Sequence, residues 1–138
     1  SYPGVRLKRS LSLLVAIDTS GSISSKDLEI FLNEIQSLSN QTRFITIIEC
    51  DCEIKNVYRY KFSKDRVMTG RGGTEFDPVL NYYNNKIEQY DGLVYFTDGY
   101  ADQPKIIPKK NCLFVINNTG HKLIQTKNIY FTHFNDEY

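Results

Sequence analysis

The stretch that decides the fold is LLVAIDTSGS, residues 13–22. It opens with five consecutive apolar residues, which is typical of a strand buried on both faces, as the central strands of parallel sheets are. The strand ends in Asp18, and Ser20 and Ser22 follow at alternate positions. Helical periodicity begins a few residues later, so the sequence predicts a strand, a turn and a helix. In open α/β sheets such a turn lies at the carboxyl edge, where ligand sites are found.

The turn carries side chains that suit a hard cation. Carboxylate and hydroxyl oxygens are ligands for magnesium, calcium or manganese, whereas zinc and copper prefer nitrogen and sulfur. Three oxygens on one turn do not complete an octahedral shell, so other segments must contribute ligands. The alternative interpretation is local: Asp18 and Ser20 cap the turn, and Ser22 or Ser24 caps the helix.

Composition excludes several classes of function. The 138 residues carry 17 basic and 16 acidic side chains, for a net charge of +1. This balance argues against a nucleic-acid partner, and no apolar run approaches the roughly 20 residues of a membrane span. The odd number of cysteines (Cys50, Cys52 and Cys112) predicts reduced thiols and a cytoplasmic location. The chain starts without an initiator methionine or a secretory signal, which suggests a domain excised from a larger protein.

We interpret residues 1–10 as a lead-in and residues 11–138 as a single domain. Apolar patterning predicts strands at residues 11–17, 43–50, 54–62, 93–97, 112–116 and 129–134. One helix is predicted from the Ser24 cap to about Ser39, and a second begins with Asp77 as its cap and Pro78 in its first turn.

These elements predict an α/β fold with a mostly parallel, Rossmann-like sheet flanked by helices. The connection at residues 51–53 is short enough only for a hairpin, so strand 3 is predicted to be antiparallel at the sheet edge. Right-handed crossovers then give the strand order 3-2-1-4-5-6. Residues 99–111 and 118–128 show no helical period, so we expect a reduced carboxyl-terminal half.

This topology brings a second acid to the first turn. Asp98 follows strand 4, which the predicted order places beside strand 1, so Asp18 and Asp98 should meet where the sheet changes winding direction. The loop at residues 70–74 should lean over them. Its Gly72 and Gly73 permit the close backbone approach that would bring Thr74 within reach.

Three motifs now stand in register: DTSGS at residues 18–22, GGT at 72–74 and TDG at 97–99. Their order, spacing and strand context resemble the metal-ion-dependent adhesion site of von Willebrand factor type A (VWA) domains. The resemblance covers nearly the whole chain from Leu11. The compact size further resembles the VWA-like carboxyl-terminal domain of a bacterial family whose amino-terminal part is similar to a metallopeptidase.

The resemblance implies a role for each motif residue. Ser20, Ser22 and Thr74 would ligate the metal through their hydroxyls, and Asp18 and Asp98 would act directly or through water. The implied cofactor is Mg²⁺, or Mn²⁺ or Ca²⁺. The implied partner is a protein that supplies an Asp or Glu carboxylate to the metal, with no catalysis by this segment. We expect the isolated domain to be monomeric. The sequence departs from the family at position 75, where Glu replaces a frequent Asp.

Two other functions remain open at this point. Asp98 and Asp102 resemble the paired acids of magnesium-dependent phosphohydrolases of the haloacid-dehalogenase type. In those enzymes the nucleophilic aspartate is followed two residues later by a general acid. Two residues after Asp18, however, this chain has Ser20. The third hypothesis is a VWA-like scaffold whose metal site is unused.

Overall fold

Residues 11–62, 72–117, 120–121 and 123–133 are described in a computed structural model of the chain. The predicted lead-in at residues 1–10 lies outside these ranges. So do the first two residues of the predicted glycine loop, residues 70 and 71, and the predicted last residue of strand 6, residue 134.

A single sheet of six strands forms the centre of the fold, and its strand order is β3-β2-β1-β4-β5-β6, as predicted. Every neighbouring pair is parallel except β2 and β3. The strands span Ser12–Asp18 (β1), Phe44–Cys50 (β2), Ile54–Arg59 (β3), Gly92–Thr97 (β4), Cys112–Ile116 (β5) and Ile129–His133 (β6).

β2 and β3 form a hairpin at the sheet edge because only residues 51–53 connect them. β2 and β3 pair antiparallel, and their register shifts between Glu49 and Cys50. Lys55 and Arg59 on β3 are exposed, as expected of an edge strand that meets water. The guanidinium of Arg59 also lies 3.9 Å from the centre of the Phe44 ring, so this side chain covers apolar surface as well.

Helix α1, Ser25–Ser39, covers one face of the sheet. Its predicted N-cap is confirmed: the Ser24 hydroxyl accepts a hydrogen bond from the Asp27 amide at 3.0 Å. Helical spacing places Phe31 and Ile35 on the same side, and both are fully buried. Phe31 packs on Phe96 of β4, with 5.2 Å between ring centres. The helix is therefore held by the central strands that end in the candidate site.

Helix α2, Asp77–Asn85, covers the other face, with Val79, Leu80 and Tyr83 fully buried. Pro78 lies in its first turn as predicted, but the prediction that Asp77 caps it is wrong. Phe76 occupies the cap position and makes no side-chain cap hydrogen bond.

Asp77 instead holds a distant loop. Its Oδ1 accepts hydrogen bonds from the amides of Lys105 and Ile106, at 2.9 and 3.0 Å. These amides belong to a connection without helix of its own, so their N–H groups need partners from elsewhere. The Asp77 carboxylate satisfies two of these N–H groups, whereas an N-cap side chain typically satisfies one.

The carboxyl-terminal half is reduced, as predicted. Residues 99–111 form no helix, and neither do residues 120–121 and 123–128 within the less completely described connection that follows. Asn84 holds the first of these connections, since it donates to the Ile107 carbonyl at 3.0 Å and accepts from the Lys109 amide at 2.8 Å. One consequence is that Leu113 and Tyr130, which pair across β5 and β6, are 36% and 43% exposed.

Two predictions from composition can be compared with the structure. The three cysteines are free, with Cys50 and Cys112 buried and Cys52 exposed, so the prediction of reduced thiols is consistent with the fold. Within the described ranges, the helices are too short or too polar to cross a bilayer.

Candidate metal centre

The carboxyl ends of β1 and β4 bring the two predicted acids together. These strands are parallel neighbours in which Ile17 pairs with Phe96, so Asp18 and Asp98 leave the sheet at the same edge. Both acids are buried, at 0% and 3% exposure, although Asp18 ends β1 and Asp98 directly follows β4. The crossovers from β1 to β2 and from β4 to β5 depart in opposite directions along the sheet, which opens a crevice at this point.

Hydrogen bonds connect the first turn to both acids. The Ser22 hydroxyl donates to Asp98 Oδ2 at 2.6 Å, and the hydroxyls of Ser20 and Ser22 lie 3.3 Å apart. The Ser20 amide donates to Asp18 Oδ1 at 2.8 Å. One short turn therefore links the two carboxylates through its own side chains and backbone.

The glycine loop completes this set. Thr74 Oγ1 lies 3.4 Å from each carboxylate oxygen of Asp18. The loop also contacts the first turn directly, because the Gly21 amide donates to the Gly72 carbonyl at 3.3 Å. All five predicted site residues thus belong to one hydrogen-bonded network, here called the oxygen network, in which the Ser20 amide makes the link to Asp18: Asp18, Ser20, Ser22, Thr74 and Asp98.

Thr97 belongs to the TDG motif, but the sequence predicted no role for it at the site. Its hydroxyl donates to Asp18 Oδ2 at 2.6 Å and accepts from the Gly99 amide at 3.1 Å. Thr97 is fully buried, so this hydroxyl has no access to water. A polar residue at the end of an otherwise apolar strand, directly before an aspartate, was the signal available in the sequence.

The turn after β4 fixes the second acid. Asp98 Oδ1 accepts from the Tyr100 amide at 3.1 Å, and the Asp98 carbonyl accepts from the His121 amide at 2.8 Å. Gly99 makes this turn possible because its φ is +77°, and a Cβ there would collide with the His121 carbonyl. The glycine of the TDG motif is therefore required by both backbone angle and space.

The electrostatics of the pair favour a cation. Burial raises the pKa of Asp18, hydrogen bonds from Thr97 and Ser20 oppose the rise, and the charge of Asp98 adds to it. Over the described part of the chain, neither carboxylate forms an ion pair with Lys, Arg or His. Among the described residues, hydrogen-bond donors and not basic side chains therefore compensate the negative charge of this edge.

The chemistry of the donor set fits a hard divalent cation. Three hydroxyls and two carboxylates offer oxygen only, which matches magnesium, manganese or calcium. The described residues contain no cluster of three or more His, Cys, Asp or Glu side chains. A site at this edge would thus draw three of its five protein ligands from hydroxyl side chains.

Comparison with known proteins identifies the family of this domain. The model of the family described as VWA-like domain (DUF2201) matches residues 13–124. This chain belongs to that VWA-like family. The matched residues run from β1 through β5 and include all five residues of the oxygen network.

A relative of this VWA-like domain occurs in Thermotoga maritima, where it is described as an uncharacterized protein. The two are 30% identical over 118 residues, which is 83% of this chain and 29% of the relative. The VWA-like domain therefore spans less than a third of that protein's length. No solved structure matches the chain.

Proposed function

We propose that this VWA-like domain binds a divalent cation at Asp18, Ser20, Ser22, Thr74 and Asp98, and through it binds a carboxylate of a protein partner. One observation carries the proposal: five oxygen-bearing side chains from three separate segments form one network around two buried carboxylates without a basic partner in the described chain. We take Mg²⁺ as the cation, with Mn²⁺ or Ca²⁺ as substitutes.

The hydroxyls of Ser20, Ser22 and Thr74 would hold the cation, and Asp18 and Asp98 would neutralise it directly or through water. When bound, the cation supplies a position that accepts an oxygen anion. Because the three hydroxyls are neutral, a partner carboxylate would still meet substantial positive charge. Asp or Glu is therefore the partner group that this donor set favours.

Accessibility supports a role in recognition. Ser22 is exposed and Thr74 is half-buried, whereas Asp18, Ser20 and Asp98 are buried. The network is thus open towards solvent at Ser22 and Thr74. Tyr100, two residues after Asp98, is 60% exposed and provides an aromatic surface at the rim of the site.

Calorimetry tests the first half of the proposal. We expect chelator-treated wild-type chain to bind Mg²⁺ or Mn²⁺, and Thr74→Ala to bind it at least tenfold more weakly while it stays folded. The matched control is Thr132→Ala on β6, which removes a hydroxyl far from the network. A wild-type chain that binds neither cation would favour the third hypothesis, a scaffold with an unused site.

A pull-down tests the second half. We expect partners captured from native lysate in magnesium to be lost in chelator, and lost equally by Thr74→Ala. Replacing each acidic residue of the partner by its amide should then abolish binding at one position. Binding that survives both treatments would place the interface elsewhere on the domain.

Phosphohydrolase catalysis is the competing function, and the site lacks the general acid that this reaction uses. Ser20 stands where a haloacid-dehalogenase-type phosphohydrolase has its general acid, and Asp102 is exposed on the loop after Asp98. Magnesium-dependent turnover of a phosphomonoester that Asp18→Asn abolishes would establish that function instead. The metallopeptidase-like neighbouring domain, the cytoplasmic location and the monomeric state remain predictions.

A further inference from the structure

Asp51, in the turn between β2 and β3, is a buried acid outside the oxygen network. It is 2% exposed, although its neighbours Cys52 and Glu53 are exposed. Its Oδ1 accepts from the Glu53 amide at 3.1 Å, and its own amide donates to the Glu53 carbonyl at 3.0 Å. These bonds close the hairpin turn and leave the second carboxylate oxygen directed away from it.

That second oxygen holds the glycine loop. Asp51 Oδ2 accepts from the Gly72 amide at 3.1 Å, and the Asp51 carbonyl accepts from the Glu75 amide at 3.3 Å. A single residue thus binds both ends of the segment 72–75. Thr74 lies between the two attachment points, with its hydroxyl 3.4 Å from the Asp18 carboxylate.

The same contacts extend to the first turn. The Gly72 carbonyl accepts from the Gly21 amide, and Gly21 lies between the two serines of the network. Gly72 is suited to this place because a Cβ there would lie 3.2 Å from Asp51 Oδ2 and would press on the carboxylate. Lys55 also lies near Asp51, with its Nζ 4.0 Å from Oδ2.

We propose that Asp51 is a positioning residue for the cation site, which holds Thr74 in place over Asp18; this inference rests on the proposed function. The segment carries two adjacent glycines, Gly72 and Gly73, so without its attachments it has wide conformational freedom. Ordering that freedom would then count against cation binding. Removing a group that orients a metal ligand typically lowers metal affinity about 10- to 100-fold.

The test is Mg²⁺ calorimetry on the full 138-residue chain. We expect Asp51→Ala to bind Mg²⁺ about tenfold or more weakly than wild type. Asp51→Asn should fall between them, because an amide has a single acceptor oxygen for the two N–H groups that the carboxylate satisfies. Asn84→Ala is the matched control: it also removes side-chain bonds to a loop, at residues 107 and 109, and should leave the affinity unchanged.

A double-mutant cycle separates positioning from general destabilisation. If Asp51 acts through Thr74, adding Asp51→Ala to Thr74→Ala should weaken binding no further. A second readout needs no metal: in chelator, the amides of Gly72 and Glu75 should exchange with solvent faster in Asp51→Ala than in wild type, while core amides of β1 keep their protection.

Three results would overturn the inference. One is unchanged Mg²⁺ affinity in both Asp51 variants. Another is that Asp51→Ala lowers the affinity by the same factor in wild type and in Thr74→Ala. The third is unchanged exchange at Gly72 and Glu75. If the wild-type chain binds no cation at all, the proposed function fails first, so the two failures are distinguishable.

Discussion

Thr97 donates a 2.6 Å hydrogen bond to Asp18, and both side chains are fully buried where β1 and β4 end side by side. The bond occupies Asp18 Oδ2, while the Ser20 amide occupies Oδ1 at 2.8 Å. The carboxylate is therefore fixed from two segments of the chain. A hydrogen bond to an ionised group is about twice as strong as one between neutral groups. Since Thr97 is the last residue of β4, this contact attaches Asp18 firmly to the sheet.

Replacing Thr97 by Val should measure that contact. The change keeps the side-chain shape but leaves a buried carboxylate oxygen without its donor, so we expect a loss of about 1–3 kcal/mol in the free energy of unfolding. Urea denaturation of chelator-treated protein is the measurement. Thr132→Val is the control, since its hydroxyl makes only a 3.4 Å contact with the His133 carbonyl. Equal losses in the two variants would contradict the assigned role of Thr97.

Magnesium should stabilise the folded chain. A cation that binds only the native state adds about 2.7 kcal/mol at a concentration of 100 times Kd, so the melting temperature should rise with added Mg²⁺ and fall with chelator. Ser22→Ala removes a hydroxyl from the network while leaving the core intact, because Ser22 is exposed. That variant should melt near the metal-free wild type and respond less to Mg²⁺. A response as large as that of wild type would exclude Ser22 as a ligand.

Gly99 and Gly73 offer a matched pair of glycine substitutions. Gly99→Ala should destabilise the fold by about 1–3 kcal/mol from the positive φ alone, with a further cost from the collision with the His121 carbonyl. A Cβ on Gly73 meets no other atom within 4 Å, so Gly73→Ala should leave the free energy of unfolding nearly unchanged. Chemical denaturation of both variants decides the matter. A stable Gly99→Ala protein would mean that the turn after β4 can rearrange.

The cysteines should differ sharply in reactivity. Burial raises the pKa of Cys50 to about 12 and also raises that of Cys112, whereas Cys52 is exposed. At pH 8 a thiol reagent should therefore label one cysteine per folded chain, none in Cys52→Ser, and all three after denaturation. Rapid labelling of Cys50 or Cys112 in the native protein would show that the sheet opens locally.

The raised pKa of Cys50 also predicts a direction for alkaline stability. The folded chain holds the thiol proton more tightly than the unfolded chain, whose ordinary value is 9.0. The contribution to stability is therefore complete below pH 9 and is lost as the pH rises towards about 12. Denaturation midpoints of wild type and Cys50→Ala, compared between pH 8 and pH 10, should converge as the pH rises.

The sequence by itself determined the sheet and the place of the candidate site. Uninterrupted apolar runs identified the buried strands, and the short connection at residues 51–53 allowed only an antiparallel β3. Handedness then placed β1 beside β4 and so brought Asp18 to Asp98. The strands follow from patterns within a few residues, and their order follows from general rules of connection that hold for any sequence with these elements.

Tertiary structure alone decided which N–H and O–H groups these carboxylates accept hydrogen bonds from. Asp77 has the sequence pattern of a helix cap, yet it binds the amides of Lys105 and Ile106; Asp51 resembles an ordinary turn residue, yet it binds the Gly72 amide 21 positions away. Thr97 and Asp18 are 79 positions apart. A carboxylate has the same local signature whichever N–H it accepts from, and the choice depends on which unsatisfied groups the packed elements bring within about 3 Å.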